Sequence, residues 1–545
     1  MFQRQRLAIS HVLGLQLIKL ACDWGKGLKP RLGWGWVVVW GMALGAGHPA
    51  LRAAEPVEIG SRRELFVDRA LIQSVEGKAE FRLHHPEPRE IALTFDAPWE
   101  GNSSGYATVI VDGGLYRMYY RGHRYLLEPP PLRQAQSEVV CYAESRDGIA
   151  WTKPKLGLFD WPPTQGNTGN KENNILWRGG PETHNFAPFL DTRPGCPPGE
   201  RFKAVGGTIE GKGLRTFQSE DGIHWVRRSE RPVVTEGAFD SHNTVFWDAE
   251  RKRYTMYTRF FSEANFQGLR SIGVSYSDDF ETWTKPVGLS YPNSPPQQMY
   301  TNQVAPYYRA PHILLGFPTR FVSRPLTRQA RGLEPVKTRA AFAESIKDSG
   351  AYTGAEVTDG LFMSSRDGER FHRWDEAFLR PGREGEGRWI YGDNYQSYGL
   401  FETRAAEGLP NEISMHFNEG AWRDEMHRLR RYTIRLDGFV SLHAPLAGGG
   451  CTTVPLKFTG DRLTVNFSTS AAGSLRVGLL DTEGNPLPGF GIDECDELFG
   501  DSVERVVTWQ GASDVSRWSA RIISLRLAIR DGDVYSLGFA RPESK

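Results

Sequence analysis

Acid, amide and imidazole side chains recur at one kind of place in this chain, just ahead of short apolar runs. Asp240, His242 and Asn243 stand in GAFDSHN, Glu100, Asn102 and Ser103 in WEGNSSGY, and Glu182, His184 and Asn185 in PETHNFAPFL. Tyr300 and Asn302 lie in YTNQVAPYY, Asp393, Asn394 and Tyr395 in GDNYQSYGL, and Glu419 ends SMHFNE. Carboxylates from separate segments facing one pocket can divide acid–base work. One protonates a leaving oxygen while another activates water or attacks carbon. Asp240 is the first catalytic candidate, because small residues, an acid and amide donors meet in its segment; Glu100 is the second and Glu419 the third. Asn102, His184, Asn185, His242, Asn243, Asn302, Asn394 and Tyr395 are candidates for holding a substrate. Arg121, Arg259 and Arg320 end the runs YYRG, YTRF and PTRF at matching positions. Three converging guanidinium forks would suit carboxylate or sulfate oxygens. Each residue also has a plainer role: a turn cap, a solvated acid, a local ion pair.

The elements that must position these groups are marked by a repeated turn. SRDGIAW at 145–151 returns as SEDGIHW at 219–225, SDDFETW at 277–283 and SRDGERF at 365–371. The Ser and Asp can accept backbone amide hydrogen bonds, and Gly148, Gly222 and Gly368 give the freedom a tight turn needs. Each copy follows a strand–turn–strand unit: 106–122, 185–207, 243–259 and 302–320. A fifth unit, 395–418, is followed by a segment in which RLDGF replaces the Ser-Asp turn. A four-stranded sheet repeated in this way predicts an all-β chain with a five-bladed β-propeller over 57–444. The lone strand RRELFVDRALI (62–72) is placed to close the ring by completing the last blade. Beyond the Pro/Gly stretch HAPLAGGGC, short alternating strands predict an antiparallel β-sandwich over 446–541. Helical periodicity is almost absent.

Composition narrows the classes. The chain has 545 residues, 66 Lys and Arg against 65 Asp and Glu, and a mean hydropathy of −0.46. That balance speaks for a globular chain and against a nucleic-acid partner. The run WGWVVVWGMALGAG, preceded by Lys26, Lys29 and Arg31, falls short of the roughly 20 residues a bilayer span needs. It predicts a signal peptide in residues 1–54, cut near Ala53 or Ala54, and export without an integral membrane segment. Cys22, Cys141, Cys196, Cys451 and Cys495 show no metal or redox spacing. The sequence assigns no metal ligand and no cofactor, although the channel of such a ring is a place for a structural ion.

The layout and its S-x-D-G-x-x-W turns resemble the furanosidase-type five-bladed propeller glycoside hydrolases, such as arabinanases and β-fructosidases. LFVDRALI, HNFAPF, GAFDSHNTVFWD and PGFGIDECDELFGD together look more like exported planctomycete-type hydrolase-like proteins of unknown function. The resemblance implies a glycoside hydrolase acting on a polysaccharide or oligosaccharide through pocket carboxylates. Its alternative is a non-catalytic carbohydrate- or partner-binding propeller. The β-fructosidase nucleophile motif WMNDPNG is absent, so the resemblance assigns no catalytic residue.

Overall fold

The computed structural model describes residues 55–540, apart from 162–169, 265, 293, 350, 351 and 425. The expected signal peptide, its cleavage point and Cys22 lie outside the described residues. The described chain is nearly all β. Five antiparallel four-stranded sheets follow one another. Sheet I runs from Gly105–Asp112 through Leu115–Gly122 and Val139–Ser145 to Ile175–Arg178. Sheet II holds Ala187–Leu190, Phe202–Gly206, Arg215–Ser219 and Val226–Arg227. Sheet III holds Thr244–Asp248, Arg253–Glu263, Gln267–Ser277 and Val287–Gly288. Sheet IV holds Ala305–Tyr307, Ala310–Gly316, Met363–Ser365 and His372–Arg373.

Sheet V is built from Phe401–Thr403, Glu412–Glu419 and Arg428–Arg435, and its outermost strand is Glu87–Thr94. The expected closing strand goes elsewhere: Arg63–Leu65 pairs with Ile522–Ala540. Burial explains the exchange. Leu65 and Val67 pack among the apolar residues of sheets IV and V, while Phe66 packs into the C-terminal core. A segment covered on both faces cannot serve as a ring's outer strand, whereas Glu87–Thr94 keeps exposed charges suited to an edge. Val57–Gly60, Ile72–Gly77 and Glu80–Leu83 also join the C-terminal strands in one ten-stranded sheet.

The repeated turn links the third and outermost strands. In the second copy Gly222 N–H donates to Ser219 Oγ at 2.9 Å, and Ile223 and His224 N–H donate to Asp221 Oδ1 at 2.8 Å each. Gly148, Gly222 and Gly368 have φ of 73°, 77° and 89°; Phe280 takes that place in the third copy at φ 69°. The closing aromatics wedge between sheets: Trp225 packs edge-on to Tyr119 of sheet I, and Phe371 edge-on to Tyr257 of sheet III. One element has no counterpart in the sequence reading. Sheet IV's second strand continues into Thr319–Val322, which pairs with Val357–Gly360, and between them lie two helices, Arg328–Gly332 and Val336–Ile346.

Candidate active site

The segments entering sheets I to V converge on a cavity of about 220 Å³. Ser103, Tyr106 and Arg121 come from sheet I, His184 from ahead of sheet II, and Asp240 from ahead of sheet III. Tyr300 precedes sheet IV; Tyr391 and Tyr395 precede sheet V. Phe342, Ile346 and Tyr352 from the helical insert roof the cavity, beside Leu132. Leu132 N–H donates to Ser345 O at 2.9 Å, which ties its loop to the helix Val336–Ile346.

A line of charge runs along one wall. Glu138 Oε1 accepts from His184 Nδ1 at 2.9 Å, and His184 Nε2 meets Asp240 Oδ1 at 3.0 Å. Arg259 Nη1 reaches Asp240 Oδ2 at 3.3 Å, and Arg121 Nη1 reaches Glu138 at 3.5 Å. Asp240 is the open member, its side chain 58% exposed to the cavity. The enclosing walls desolvate the carboxyl and raise its pKa, but the His184 hydrogen bond and the Arg259 charge prevail and hold it at about 2. Burial pushes His184 down, yet the Glu138 charge and the hydrogen bonds from both acids lift it to about 9. Glu138, opposed by burial, is held well below the carboxylate range by His184 and Arg121. At neutral pH His184 is therefore an imidazolium donating from both ring nitrogens. Three cations (His184, Arg121 and Arg259) face two carboxylates, which leaves one positive charge in excess.

Aromatic faces form much of the remaining wall. Arg121 lies 4.8 Å over the Tyr106 ring, and Arg259 lies 4.0 Å over Tyr300. Tyr106 holds φ 49°, an uncommon value for a bulky residue, and stacks on His242 with ring centroids 5.6 Å apart. Tyr391 OH donates to Tyr300 OH at 2.7 Å. Tyr395 is 8% exposed, lines the cavity, and its buried hydroxyl has no hydrogen-bond partner. A ligand hydroxyl would satisfy it.

Of the expected site residues, Asp240, His184, Arg121, Tyr395 and Asn102 line this cavity, and Arg259 stands behind Asp240. Glu100 does not share it. Its carboxylate is buried under Tyr120 OH at 2.5 Å and Lys153 Nζ at 2.6 Å. Glu419 is enclosed by Arg430 at 2.9 Å, Arg428 at 3.3 Å, Arg388 at 3.5 Å and the Tyr432 hydroxyl at 3.1 Å. Glu182 pairs with Arg227, and Asp68 with Arg366. Arg320 is drawn off by Asp359 at 2.8 Å, so the expected third guanidinium is missing.

The asparagines act as staples. The Asn185 amide takes Gly207 N–H at 2.9 Å and donates to Ser241 O at 2.9 Å; Asn243 donates to Phe239 O at 3.0 Å. Asn302 donates to His242 O at 3.0 Å and Asn394 to Thr358 O at 2.8 Å, while Asn102 clamps both backbone groups of Tyr125. Buried His242 is pushed down to about 3 and bridges Thr108 and Gln303 as a neutral ring. Asp393 is fully buried, accepts from Ala421 N–H at 2.8 Å, and is raised by burial to about 7. Trp99 belongs to the sheet I core, donating to Asn174 at 2.8 Å. Sequence reasoning missed Glu138, Tyr106, Tyr352, Tyr391 and Trp422. Glu138 sits in an ordinary strand approach, and no spacing marked it as the partner of His184. Among the described residues no group of three or more His, Cys, Asp and Glu is arranged to hold a metal ion, and no helix is long and apolar enough to cross a membrane. Cys141, Cys196, Cys451 and Cys495 are free thiols.

No family model matches the chain, and no curated protein matches it in sequence. Among solved structures it is similar to an N-acetylgalactosamine deacetylase from F. plautii in complex with blood group B trisaccharide. That likeness has 12% identity and a TM-score of 0.41, covering 64% of this chain and 94% of the other. A glycoside hydrolase family 43 arabinoxylan arabinofuranohydrolase from Bacillus subtilis, in complex with cellotetraose, gives 10% identity and a TM-score of 0.39, covering 82% and 96%. Values of this size leave the site to be read from its own geometry.

Proposed function

We propose that the chain is an exported glycoside hydrolase whose central cavity binds a sugar and acts on it through Asp240. In this reading sheets I to V are the blades of a five-bladed β-propeller, and the ten-stranded sheet belongs to a β-sandwich. The carrying observation is one exposed, ionised carboxylate in an aromatic-walled cavity, fixed by an imidazolium and a guanidinium. Such a carboxylate works as a general base or a nucleophile, because it holds no proton to give at neutral pH. The proton comes from His184: its Nε2–H is held by Asp240 Oδ1 beside the open space, a leaving oxygen bound there takes that hydrogen bond over, and Glu138 sustains the charge. The Tyr and Trp faces pack on sugar C–H surfaces, and the Tyr395 hydroxyl takes a ligand hydroxyl. The positive excess supports an acidic sugar, a uronic acid or a sulfated residue, over a neutral one.

A second reading is favoured by one observation: Asp240 is the sole carboxylate among the described residues lining the cavity. A propeller that binds carbohydrate without cleaving it would need no more. A panel of neutral and acidic oligosaccharides, scored for both affinity and cleavage with wild type and Asp240→Asn, separates the two. Cleavage abolished in the variant supports the hydrolase. Tight binding without cleavage by wild type supports the binding protein, and neither binding nor cleavage removes both.

A further inference from the structure

Arg320 leaves the central cluster because of strand alternation. Along Thr319–Val322, Thr319 and Phe321 are buried, with Phe321 packed on Tyr300, while Arg320 and Val322 stand half-buried on the other side. The hairpin with Val357–Gly360 therefore partitions the central cavity from a second, larger one of about 1020 Å³. This lateral groove is lined by that hairpin, by residues 296–298 and by residues 375–389.

Its charges are uneven. Asp359 is held by Arg320 at 2.8 Å, Asp375 by Arg373 at 3.4 Å, and Glu386 by Arg388 at 2.5 Å. Arg324, Arg380 and Arg383 are exposed in the groove and form no ion pair among the described residues, with Glu376 the remaining acid of the lining. Two features there suit a sugar. Gln297 Oε1 is buried and has no hydrogen-bond partner, and the half-buried Trp389 indole lines the groove. An orphaned acceptor calls for a hydroxyl donor, an indole for a C–H face, and three guanidiniums facing one unpaired acid for oxyanions.

We propose that this groove binds a stretch of polysaccharide bearing carboxylate or sulfate groups, apart from the central cavity. The saccharide part rests on the function proposed above; the acidic part rests on the arginines of the groove alone. The test measures affinity of the full chain for size-matched oligogalacturonate, sulfated oligogalactan and neutral oligogalactan, with polyglutamate as a non-sugar polyanion. The variants are Arg324→Gln/Arg380→Gln/Arg383→Gln and a charge-matched control outside both cavities, Lys155→Gln/Lys285→Gln/Lys457→Gln. The arginine variant should bind the preferred acidic glycan about 10-fold or more weakly, and the lysine control should bind it as wild type does. Oligogalacturonate or sulfated galactan as the tighter ligand identifies which oxyanion the arginines select. Three results overturn the proposal: acidic binding untouched by the arginine change, neutral glycan or polyglutamate bound as tightly, or acidic binding weakened as much by the lysine control. The function of the central cavity fails separately, if Asp240→Asn cleaves as wild type does.

Discussion

Asp240 and Glu419 are both carboxylates held by arginines, yet they sit in different parts of the molecule and differ in what else reaches them. Glu419 meets three guanidiniums and a tyrosine hydroxyl, and its side chain is 6% exposed. Asp240 meets one guanidinium and one imidazole, and the rest of its carboxylate faces an open cavity. At its strand end in sheet V, Glu419 is enclosed by partners from the neighbouring strand and from Arg388, and becomes part of the packing. In the cavity the partners of Asp240 cover one side, keep the acid ionised, and leave the other for a ligand. Asp393 is a third case, with burial, a single amide donor and no charge close enough to keep it ionised.

The contrast can be broken most severely at Glu419. Glu419→Ala takes the shared carboxylate from Arg388, Arg428 and Arg430 and a partner from the buried Tyr432 hydroxyl, a loss of about 3 kcal/mol. Denaturant unfolding should show that loss; a stability like wild type's would mean the arginines find other partners and the enclosure is incidental. At Asp393 the sign depends on pH. The folded protein holds this proton to about pH 7, whereas the unfolded chain releases it at the ordinary aspartate value. Stability therefore falls as pH rises through that window, and Asp393→Asn removes the fall. The variant should gain on the order of 1–3 kcal/mol relative to wild type at pH 8 and little at pH 4; equal stability differences at both pH values would place the proton elsewhere. The smallest effect belongs to the turns, where Asp147→Ala frees the Ile149 and Ala150 amides to solvent. Calorimetry should find about 1 kcal/mol, and a far larger loss would give the turn a role beyond local capping.

The turns and the strand–turn–strand units were legible because both rest on local chemistry. Ser145 and Asp147 bind amides two or three residues on, and a Trp or Phe six residues after each Ser finds the neighbouring sheet. Pairing at a distance was not legible. Both RRELF and EPREIALT can form a strand, and only burial on two faces sends the first to the C-terminal sheet. The candidate site was half readable. Position ahead of a first strand brings Asp240, His184 and Tyr395 to the cavity, but the same position holds the asparagines that lock sheet to sheet. An amide reads alike in sequence whether its partner is a sugar or a backbone carbonyl. Glu138, two strands into sheet I, carried no signal at all. Strand alternation turned Arg320 away from the centre, and the look-alike endings YYRG, YTRF and PTRF do not show on which face each arginine falls.

The charge line has its own pH signature. Asp240 contributes fully above its ordinary value and is lost as pH falls through about 2; His184 contributes fully below its ordinary value and is lost as pH rises through about 9. Activity should hold across neutral pH and fall near pH 9, and His184→Gln, lacking the acid, should be slow at every pH and show no such limb.

The role of Asp240 is tested most directly by kcat/KM on the oligosaccharide cleaved fastest by wild type, compared between Asp240→Asn and Glu100→Gln at neutral pH, with folding of both followed by circular dichroism. Removing a base or nucleophile should cost about 10²–10⁴-fold in Asp240→Asn, far beyond what any unfolding from losing its two ion pairs accounts for, while Glu100→Gln should lower the melting temperature and leave the folded fraction active. An Asp240→Asn variant that cleaves like wild type would contradict the assignment of the chemistry to this carboxylate.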